Sequence, residues 1–309
     1  MSQKSKARKE ILSYSTISKS SIKAVAIGSF DGIHKGHKAL IKQLGDGGAL
    51  VVIRSGRACL TPGNRREEYS GVPCFYYELR DISELRGDEF INMLKNDFVN
   101  LSKIVVGYDF KFGKDRAWDK HDLSHLFGGE IVVVDEFCFD GLGVHSSAIR
   151  RFLRDGDIYR ANRLLGREYS VIGRVIAGQG IGRTHLYATL NLDIAPYLIP
   201  CEGVYATRTK IDQQTYSSIT FIGHRLSTDG RFAIENHILS QNIDIAPSSV
   251  RVCFIEWIRN NAKFDSLDEL KKQIAKDIII AQNVAKSCDL SIDEISLHSR
   301  DLQGVYGER

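Results

Sequence analysis

Two histidines three residues apart, His34 and His37, are side chains well suited to binding phosphate. They follow a run of small and β-branched residues, 24–27, which predicts a buried parallel strand that stops at Gly28. A helical pattern of apolar residues continues from them to Leu44. The first turn of a helix has unpaired N–H groups and a partial positive charge, and it therefore attracts anions. The expected chemistry is phosphate binding at the start of a helix.

The other explanation is a strand–helix connection that merely carries two surface histidines. Gly36 lies between the histidines, and it leaves out a side chain that could block a nucleotide. Because the glycines, Asp31 and the preceding strand occur together, the phosphate site is the favoured interpretation.

The surrounding sequence must supply a sheet to position these residues. Runs typical of buried strands recur at 24–27, 49–53, 71–77, 103–106 and 130–135, with helical patterns such as 87–98 between them. This alternation predicts a doubly wound parallel sheet, in which ligands bind beyond the carboxyl ends of the strands. We therefore expect the segments 28–37 and 107–113 to converge on one crevice.

The second half has a different pattern. Short β-rich runs separated by glycine turns occur at 170–176, 203–211, 216–222, 231–239 and 249–257, and they predict a small antiparallel barrel. Ser266 and Glu269 then form a capping box that opens a helix. Its predicted apolar stripe contains Leu267, Leu270, Ile274, Ile278, Ala281 and Ala285.

Composition excludes several classes of protein. The chain has 309 residues, 43% of them hydrophobic and 26% charged, which is typical of a globular protein with two domains. The net charge of +4 suits an enzyme of anionic small molecules and does not require nucleic acid. The six cysteines are scattered without close pairs, and no apolar run reaches membrane-spanning length. We expect a cytoplasmic enzyme with no membrane association and no obligate protein partner.

Three motifs resemble one family. The segment GSFDGIHKGH at 28–37 resembles the G-x-F-D-G-x-H-x-G-H signature of the bacterial bifunctional riboflavin kinase / FAD synthetase family. HxGH alone is shared with the wider nucleotidylyltransferases, and the preceding FDG indicates the flavin branch. GYDFKFG at 107–113 resembles the family's G-x-D-F-x-F-G, and SSAIR at 146–150 resembles part of its ISSTxIR element. The resemblance covers 23–168 and, more loosely, 169–286.

This resemblance implies an α/β protein with two catalytic domains. The N-terminal one, 21–168, would be a doubly wound, Rossmann-like FMN adenylyltransferase domain. The C-terminal one, 169–288, would be a small antiparallel β-barrel with a terminal helix and riboflavin kinase activity. A polar lead-in (1–20) and a tail (289–309) would flank them. ATP would phosphorylate riboflavin to FMN and then adenylylate FMN to FAD, with Mg²⁺ bound to the ATP.

For adenylyl transfer, the resemblance implies that His34 and His37 stabilise the transition state and that Arg150 neutralises the triphosphate. Further substrate-binding residues would be Gly28, Ser29, Phe30, Asp31, Gly36, Asp109, Phe110, Ser146 and Ser147. For the segment 107–113 the alternative is a tight turn with core aromatics.

For the kinase, the resemblance implies a glycine-rich phosphate loop that includes Gly182 and Arg183. Thr189 and Asn191 would hold Mg²⁺, and Arg259 would lie near the flavin. The residues alone explain Glu235 equally well as a common edge-strand glutamate, and the resemblance favours the role of general base.

Several positions depart from the family pattern. They are Arg54 to Arg57 after the second strand, Trp118 in place of glycine, His145 in place of serine, Ala188 in place of proline, and Leu226 with Ser227. Two alternatives therefore stay open. One is an FMN adenylyltransferase with a weak or inactive kinase module, and the other is a non-catalytic flavin-binding regulatory protein.

Overall fold

The structure, a computed structural model, describes residues 17–56, 59–177, 187–227, 229–239 and 247–301. It divides into two compact units, 1–147 and 148–309. No helix in the described part of the chain is long and apolar enough to cross a membrane.

The first unit is built on a five-stranded parallel sheet. The strands of the whole unit, within the sheet and outside it, are β1 (Ala24–Gly28), β2 (Gly48–Arg54), β3 (Cys74–Glu78), β4 (Lys103–Gly107), β5 (Lys111–Phe112), β6 (Trp118–Asp119), β7 (Glu130–Val134), β8 (Cys138–Phe139) and β9 (Leu142–Gly143). The sheet order is β3-β2-β1-β4-β7, so β1 is central. The remaining strands form two short antiparallel pairs, β5 with β6 and β8 with β9. The five predicted strands are confirmed, because each forms one strand of this sheet.

Helices cover both faces of the sheet. They are α1 (Lys35–Lys42), α2 (Arg66–Ser70), α3 (Leu79–Ile82), α4 (Gly87–Asp97) and α5 (Lys120–Phe127). A further helix, α6 (Ser146–Arg154), begins at the end of this unit and continues into the second one. Side chains alternate along β1, so Val25 and Ile27 face the core that contains Phe90 and Leu94 of α4. Ala24 and Ala26 face the opposite core, against which Leu40 and Ile41 of α1 pack. The doubly wound arrangement is confirmed.

The predicted lead-in does not extend to residue 20. Lys19 lies in a short 3-10 helix, and its ammonium is 3.1 Å from the carboxylate of Asp97. The same ammonium lies 5.4 Å from the ring centroid of Tyr77, whose hydroxyl also donates to Asp97. These contacts attach residue 19 to the sheet unit.

The second unit contains a closed antiparallel barrel of order β10-β11-β14-β13-β12-β15. Its strands are β10 (Tyr169–Ile176), β11 (Leu190–Asp193), β12 (Gly203–Ile211), β13 (Gln214–His224), β14 (Phe232–Ile238) and β15 (Ser249–Arg259). The sequence predicted five of these strands and missed β11, which is only four residues long. Closure leaves the barrel without an edge strand.

A helix ahead of the barrel belongs to the same unit. Helix α7 (Ile158–Leu165) packs against β10 and β15. The amide of Asn162 donates to the Phe254 carbonyl at 2.9 Å and accepts from the Tyr169 backbone N–H at 2.6 Å. This packing explains why the compact unit begins before residue 169, the predicted start of the second domain.

The terminal helix α8 (Leu267–Asp301) begins where the capping pattern predicts. The Ser266 hydroxyl accepts from the Glu269 backbone N–H at 3.2 Å. Leu267 is 45% exposed, so its predicted place in the buried stripe is wrong, whereas Ala281 and Ala285 are buried. Asp277 lies among the buried positions, and the helix continues into the predicted tail, as far as Asp301.

Candidate functional site

The turn after β1 has a strained backbone. Phe30 and Ile33 have φ angles of 49° and 39°, in the left-handed region that non-glycine residues rarely occupy. Both side chains are fully buried, and this packing holds the turn in place. Such strain tends to occur at functional sites.

Asp31 fixes this turn to a neighbouring loop. Its carboxylate is buried and accepts from the backbone N–H groups of Leu60 and Thr61, both at 3.0 Å. The Thr61 hydroxyl in return accepts from the Gly32 N–H at 2.9 Å. The structure therefore gives Asp31 a positioning role. Its predicted contact with nucleotide stays a prediction.

Arg66 is a positioning residue that the sequence analysis did not identify. It is 1% exposed, and its guanidinium donates to the carbonyl of Ser29 at 2.9 Å and to that of Gly63 at 3.0 Å. Burial lowers its pKa from the usual arginine value, and the nearby Asp31 opposes this shift. Its role depends on carbonyl groups that only the folded chain brings to it, and one of them is 37 residues away in the sequence.

His34 is the N-cap of α1, as expected from the placement of the histidines at the helix start. Its Nδ1 accepts from the His37 backbone N–H at 3.3 Å, so the proton of the neutral ring is on Nε2. The rings of His34 and His37 stack with centroids 3.5 Å apart and 18° between their planes. The two imidazoles therefore form one compact group at the amino end of the helix.

Gly36 allows close packing at this point. A Cβ there would lie 3.1 Å from the Val144 carbonyl oxygen and 3.2 Å from the His34 Nδ1. The structure thus provides a reason for the glycine within the protein itself. Its role in leaving room for nucleotide stays a prediction.

Helix α6 is joined to the same turn. The Ser146 hydroxyl donates to the Asp31 carbonyl at 2.6 Å, so the start of α6 lies beside the turn that precedes α1. Ser147 follows in the first turn of α6, and Arg150 comes one turn after Ser146 along the helix. Just before the helix, the His145 Nε2 lies 2.7 Å from a Glu136 carboxylate oxygen.

The second predicted loop begins at the end of β4, next to β1 in the sheet. The Phe110 N–H donates to the Gly107 carbonyl at 3.1 Å, which makes a tight turn. Phe110 stacks on Phe112 with centroids 5.5 Å apart and packs on the core, whereas Asp109 is exposed. Phe110 therefore fits the alternative of a tight turn with core aromatics, whereas the Asp109 side chain is accessible to a ligand.

The segment that departs from the family pattern after the second strand begins with Arg54. This residue ends β2 and pairs with Glu78 of β3 at 2.5 Å. Its guanidinium carbon lies 5.2 Å from the ring centroid of Tyr76. Arg57, at the other end of the segment, lies outside the described residues.

A second constellation lies on the barrel. Asn191 of β11 is the cross-strand partner of Glu235 of β14, so their side chains lie on the same face. Strand β14 pairs with β11 on one side and β13 on the other, which excludes the edge-strand explanation of Glu235. Gly182 and Arg183, predicted for the phosphate loop, lie outside the described residues.

The carboxylate of Glu235 has a charged neighbour. The Nη1 of Arg225 donates to it at 3.3 Å, and the Nη2 of the same guanidinium donates to an Asp229 carboxylate oxygen at 3.1 Å. Burial raises the pKa of Glu235, Arg225 lowers it, and Asp229 raises it again. The net shift of the Glu235 pKa is upward.

Arg259 is held by the terminal helix. Its guanidinium donates to Asp277 of α8 at 2.9 Å and 2.7 Å, and the Asp277 side chain is only 2% exposed. The Gln273 amide donates to the same carboxylate at 2.8 Å. The predicted contact of Arg259 with flavin stays a prediction.

The two halves match two family models. The riboflavin kinase model matches residues 165–285, and the FAD synthetase model matches residues 16–49 and 72–148. A bifunctional riboflavin kinase/FMN adenylyltransferase of Escherichia coli (strain K12) is 30% identical over 286 residues, which cover 84% of this chain and 91% of the relative. The chain belongs to the bifunctional riboflavin kinase/FMN adenylyltransferase family.

Other relatives agree with this membership. The family enzyme of Haemophilus influenzae is 30% identical over 287 residues, which cover 84% of this chain and 93% of the relative. A solved structure described as a macrolide-efflux protein from Streptococcus pneumoniae has a TM-score of 0.75 and 28% identity, and the match covers 87% of this chain and 95% of that one. The family and the α/β fold with a parallel sheet and a barrel are thereby confirmed.

Proposed function

We propose that this chain catalyses two successive reactions, in which ATP phosphorylates riboflavin to FMN and a second ATP adenylylates FMN to FAD with release of pyrophosphate. One observation supports the proposal most directly. Each family model matches a part of the chain that contains the residues predicted for the corresponding reaction. Stacked histidines begin α1 in the first unit, and Asn191 pairs with Glu235 in the barrel.

Adenylyl transfer requires positioning and charge stabilisation more than protein nucleophiles. A phosphate oxygen of FMN attacks the α-phosphorus of ATP, and the bond from that phosphorus to the pyrophosphate oxygen breaks. His34 and His37 would donate to phosphate oxygens at the amino end of α1, where the helix dipole also favours negative charge. Ser147 and Arg150 would hold the departing phosphates.

Strand and loop residues around the histidines would complete this site. Gly28, Ser29 and Phe30 form the turn that the histidines follow, and Asp109 lies exposed after the neighbouring strand β4. Adjacent parallel strands present their carboxyl ends at the same edge, which is where ligands of such sheets bind.

In the kinase reaction, Glu235 would accept the proton of the riboflavin 5′-hydroxyl as its oxygen attacks the γ-phosphorus of ATP. The bond between that phosphorus and the bridging oxygen breaks, and ADP leaves. Arg225 holds the carboxylate in position, and burial keeps the Glu235 pKa above its usual value.

Thr189 and Asn191 fit a role in holding Mg²⁺ with the donor ATP. Both offer neutral oxygen ligands. Asn191 shares a barrel face with Glu235, and Thr189 comes directly before β11. When bound, Mg²⁺ would neutralise phosphate charge. Within the described residues, no group of three or more His, Cys, Asp or Glu side chains could hold a metal ion.

Incubation with riboflavin and Mg-ATP, and separately with FMN and Mg-ATP, followed by chromatographic separation of the flavins, tests the proposal. We expect FMN and FAD in the first reaction and FAD in the second. FAD from FMN alone would reduce the protein to an FMN adenylyltransferase. Flavin binding without either product would show a regulatory protein. The proposal includes a cytoplasmic location for the enzyme, together with its substrates.

A further inference from the structure

His237 lies two residues after Glu235 on β14 and contacts the chain just before β11. Its Nδ1 is 2.7 Å from the Ala188 carbonyl oxygen. The ring of Tyr187 packs on it with centroids 5.1 Å apart and 54° between the planes. One imidazole thus contacts two consecutive residues that lead directly to Thr189.

The strand register shows why this contact matters. Leu190 pairs with Asn236, and Asn191 pairs with Glu235. Continuing the antiparallel register by one residue sets Thr189 opposite His237, beyond the last ladder pair. The hydrogen bond from His237 therefore extends the attachment of β11 to β14 past the point where the ladder stops.

The hydrogen bond also determines the state of the ring. A carbonyl oxygen only accepts, so Nδ1 must carry the hydrogen. The interaction consequently exists in both the neutral and the protonated imidazole. Alanine restricts its own backbone less than a β-branched residue or proline does. The hydrogen bond from His237 to the Ala188 carbonyl therefore helps to hold the backbone of this segment in one conformation.

We propose that His237 is a positioning residue for the kinase reaction, which holds the 187–191 segment so that the oxygens of Thr189 and Asn191 can bind the metal ion of Mg-ATP. The inference rests on the proposed kinase function. Nothing in it requires His237 to touch a substrate.

The test compares His237→Ala with His237→Asn, whose amide keeps a donor near the position of Nδ1. His224→Ala is the matched control, because His224 is a partly exposed histidine of the same barrel that pairs with Glu202. Two quantities are measured: amide hydrogen exchange of the 187–191 peptide, and KM for Mg-ATP beside kcat in FMN formation.

We expect His237→Ala to speed exchange of this peptide and to raise KM for Mg-ATP, each by about fivefold to tenfold, which corresponds to one lost hydrogen bond. Kcat should change less, His237→Asn should recover most of both effects, and His224→Ala and FAD formation from FMN should match the wild type. If His237→Ala does not fold, His237→Phe removes the donor and keeps the ring against Tyr187.

Wild-type exchange and KM in His237→Ala would overturn the inference alone, and so would an equal defect in His237→Asn. A wild-type protein that makes no FMN from riboflavin would overturn the proposed kinase function together with this inference.

Discussion

The stacked imidazoles at the start of α1 have different surroundings in the protein. His34 caps the helix through its Nδ1, whereas His37 contributes its backbone N–H to that cap and its ring to the stack. The His37 side chain can therefore be removed while the cap is retained. Removal of a donor to a transition-state oxygen typically costs a hundredfold to a thousandfold in rate.

We predict that His37→Ala lowers FAD formation from FMN by at least about a hundredfold and leaves FMN formation from riboflavin unchanged. Both rates are measured by chromatography of the flavins. A fall in both rates, or in neither, would contradict the assignment of this residue.

His34 has two roles, which two substitutions separate. His34→Ala should lower the free energy of unfolding of the sheet unit by about 1 kcal/mol because the N-cap is lost, whereas His34→Asn should keep the cap. Both variants should lose FAD formation. Urea unfolding and the FAD assay measure the two effects, and an active His34→Asn would limit His34 to capping.

Glu235 gives a pH prediction. Its pKa is raised by burial, and the base is active only when deprotonated, so FMN formation should fall as the pH decreases through this raised value. Arg225 lowers the pKa, so Arg225→Gln should move the acidic limb of the pH–rate profile to higher pH. The pH profile of FAD formation from FMN is the control, and a limb that stays in place in Arg225→Gln would refute the pairing.

At the scale of elements, the ion pair between Asp277 and Arg259 joins α8 to the barrel beside an apolar cluster that includes Ala281 and Val204. Asp277 is 2% exposed and Arg259 is 22% exposed by side chain, so both partners have lost much of their hydration. Removing one partner of a buried pair leaves an uncompensated charge, which is strongly destabilising.

Asp277→Asn should therefore lower the free energy of unfolding of the barrel by about 3 kcal/mol, the low end of the range for buried pairs because Arg259 is partly exposed. Lys276→Gln, at the exposed neighbouring position, should change it by less than about 0.5 kcal/mol. Urea unfolding followed by circular dichroism measures both. Equal stability of the two variants would show that apolar contacts alone dock the helix.

At the scale of the whole molecule, the two family matches fall almost wholly on different compact units. The catalytic residues predicted for the two reactions are different residues, and FMN is the product of one reaction and the substrate of the other. Variants that each lack one step should therefore complement each other when FMN diffuses between molecules.

We predict that neither His37→Ala nor Glu235→Gln alone forms FAD from riboflavin and Mg-ATP, and that an equimolar mixture does. The rate should be restored to at least about a tenth of the wild-type rate, since only FMN must exchange. FAD is measured over time, with each variant alone as control. A mixture that accumulates FMN and makes no FAD would show that FMN must pass within one chain.

The sequence by itself determined the features that are local along the chain. Apolar periodicity depends on neighbouring residues, so it located the five strands of the sheet and the longer strands of the barrel. Capping chemistry is also local, and it placed the start of α8. The resemblance of short motifs indicated the family. Strand β11 was missed because its four residues are too few to show a period.

Only the tertiary structure decided which groups position the site, because their partners are distant in sequence. Asp31 binds a loop 29 residues away, and Ser146 reaches the Asp31 carbonyl across 115 residues. The indole of Trp118 packs directly against the backbone of Gly87 and Gly113. A Cβ added to either glycine would lie within 2.5 Å of the indole. A periodic pattern records which side of an element is buried. It does not record which distant residue covers that side, since that is settled only when the chain packs.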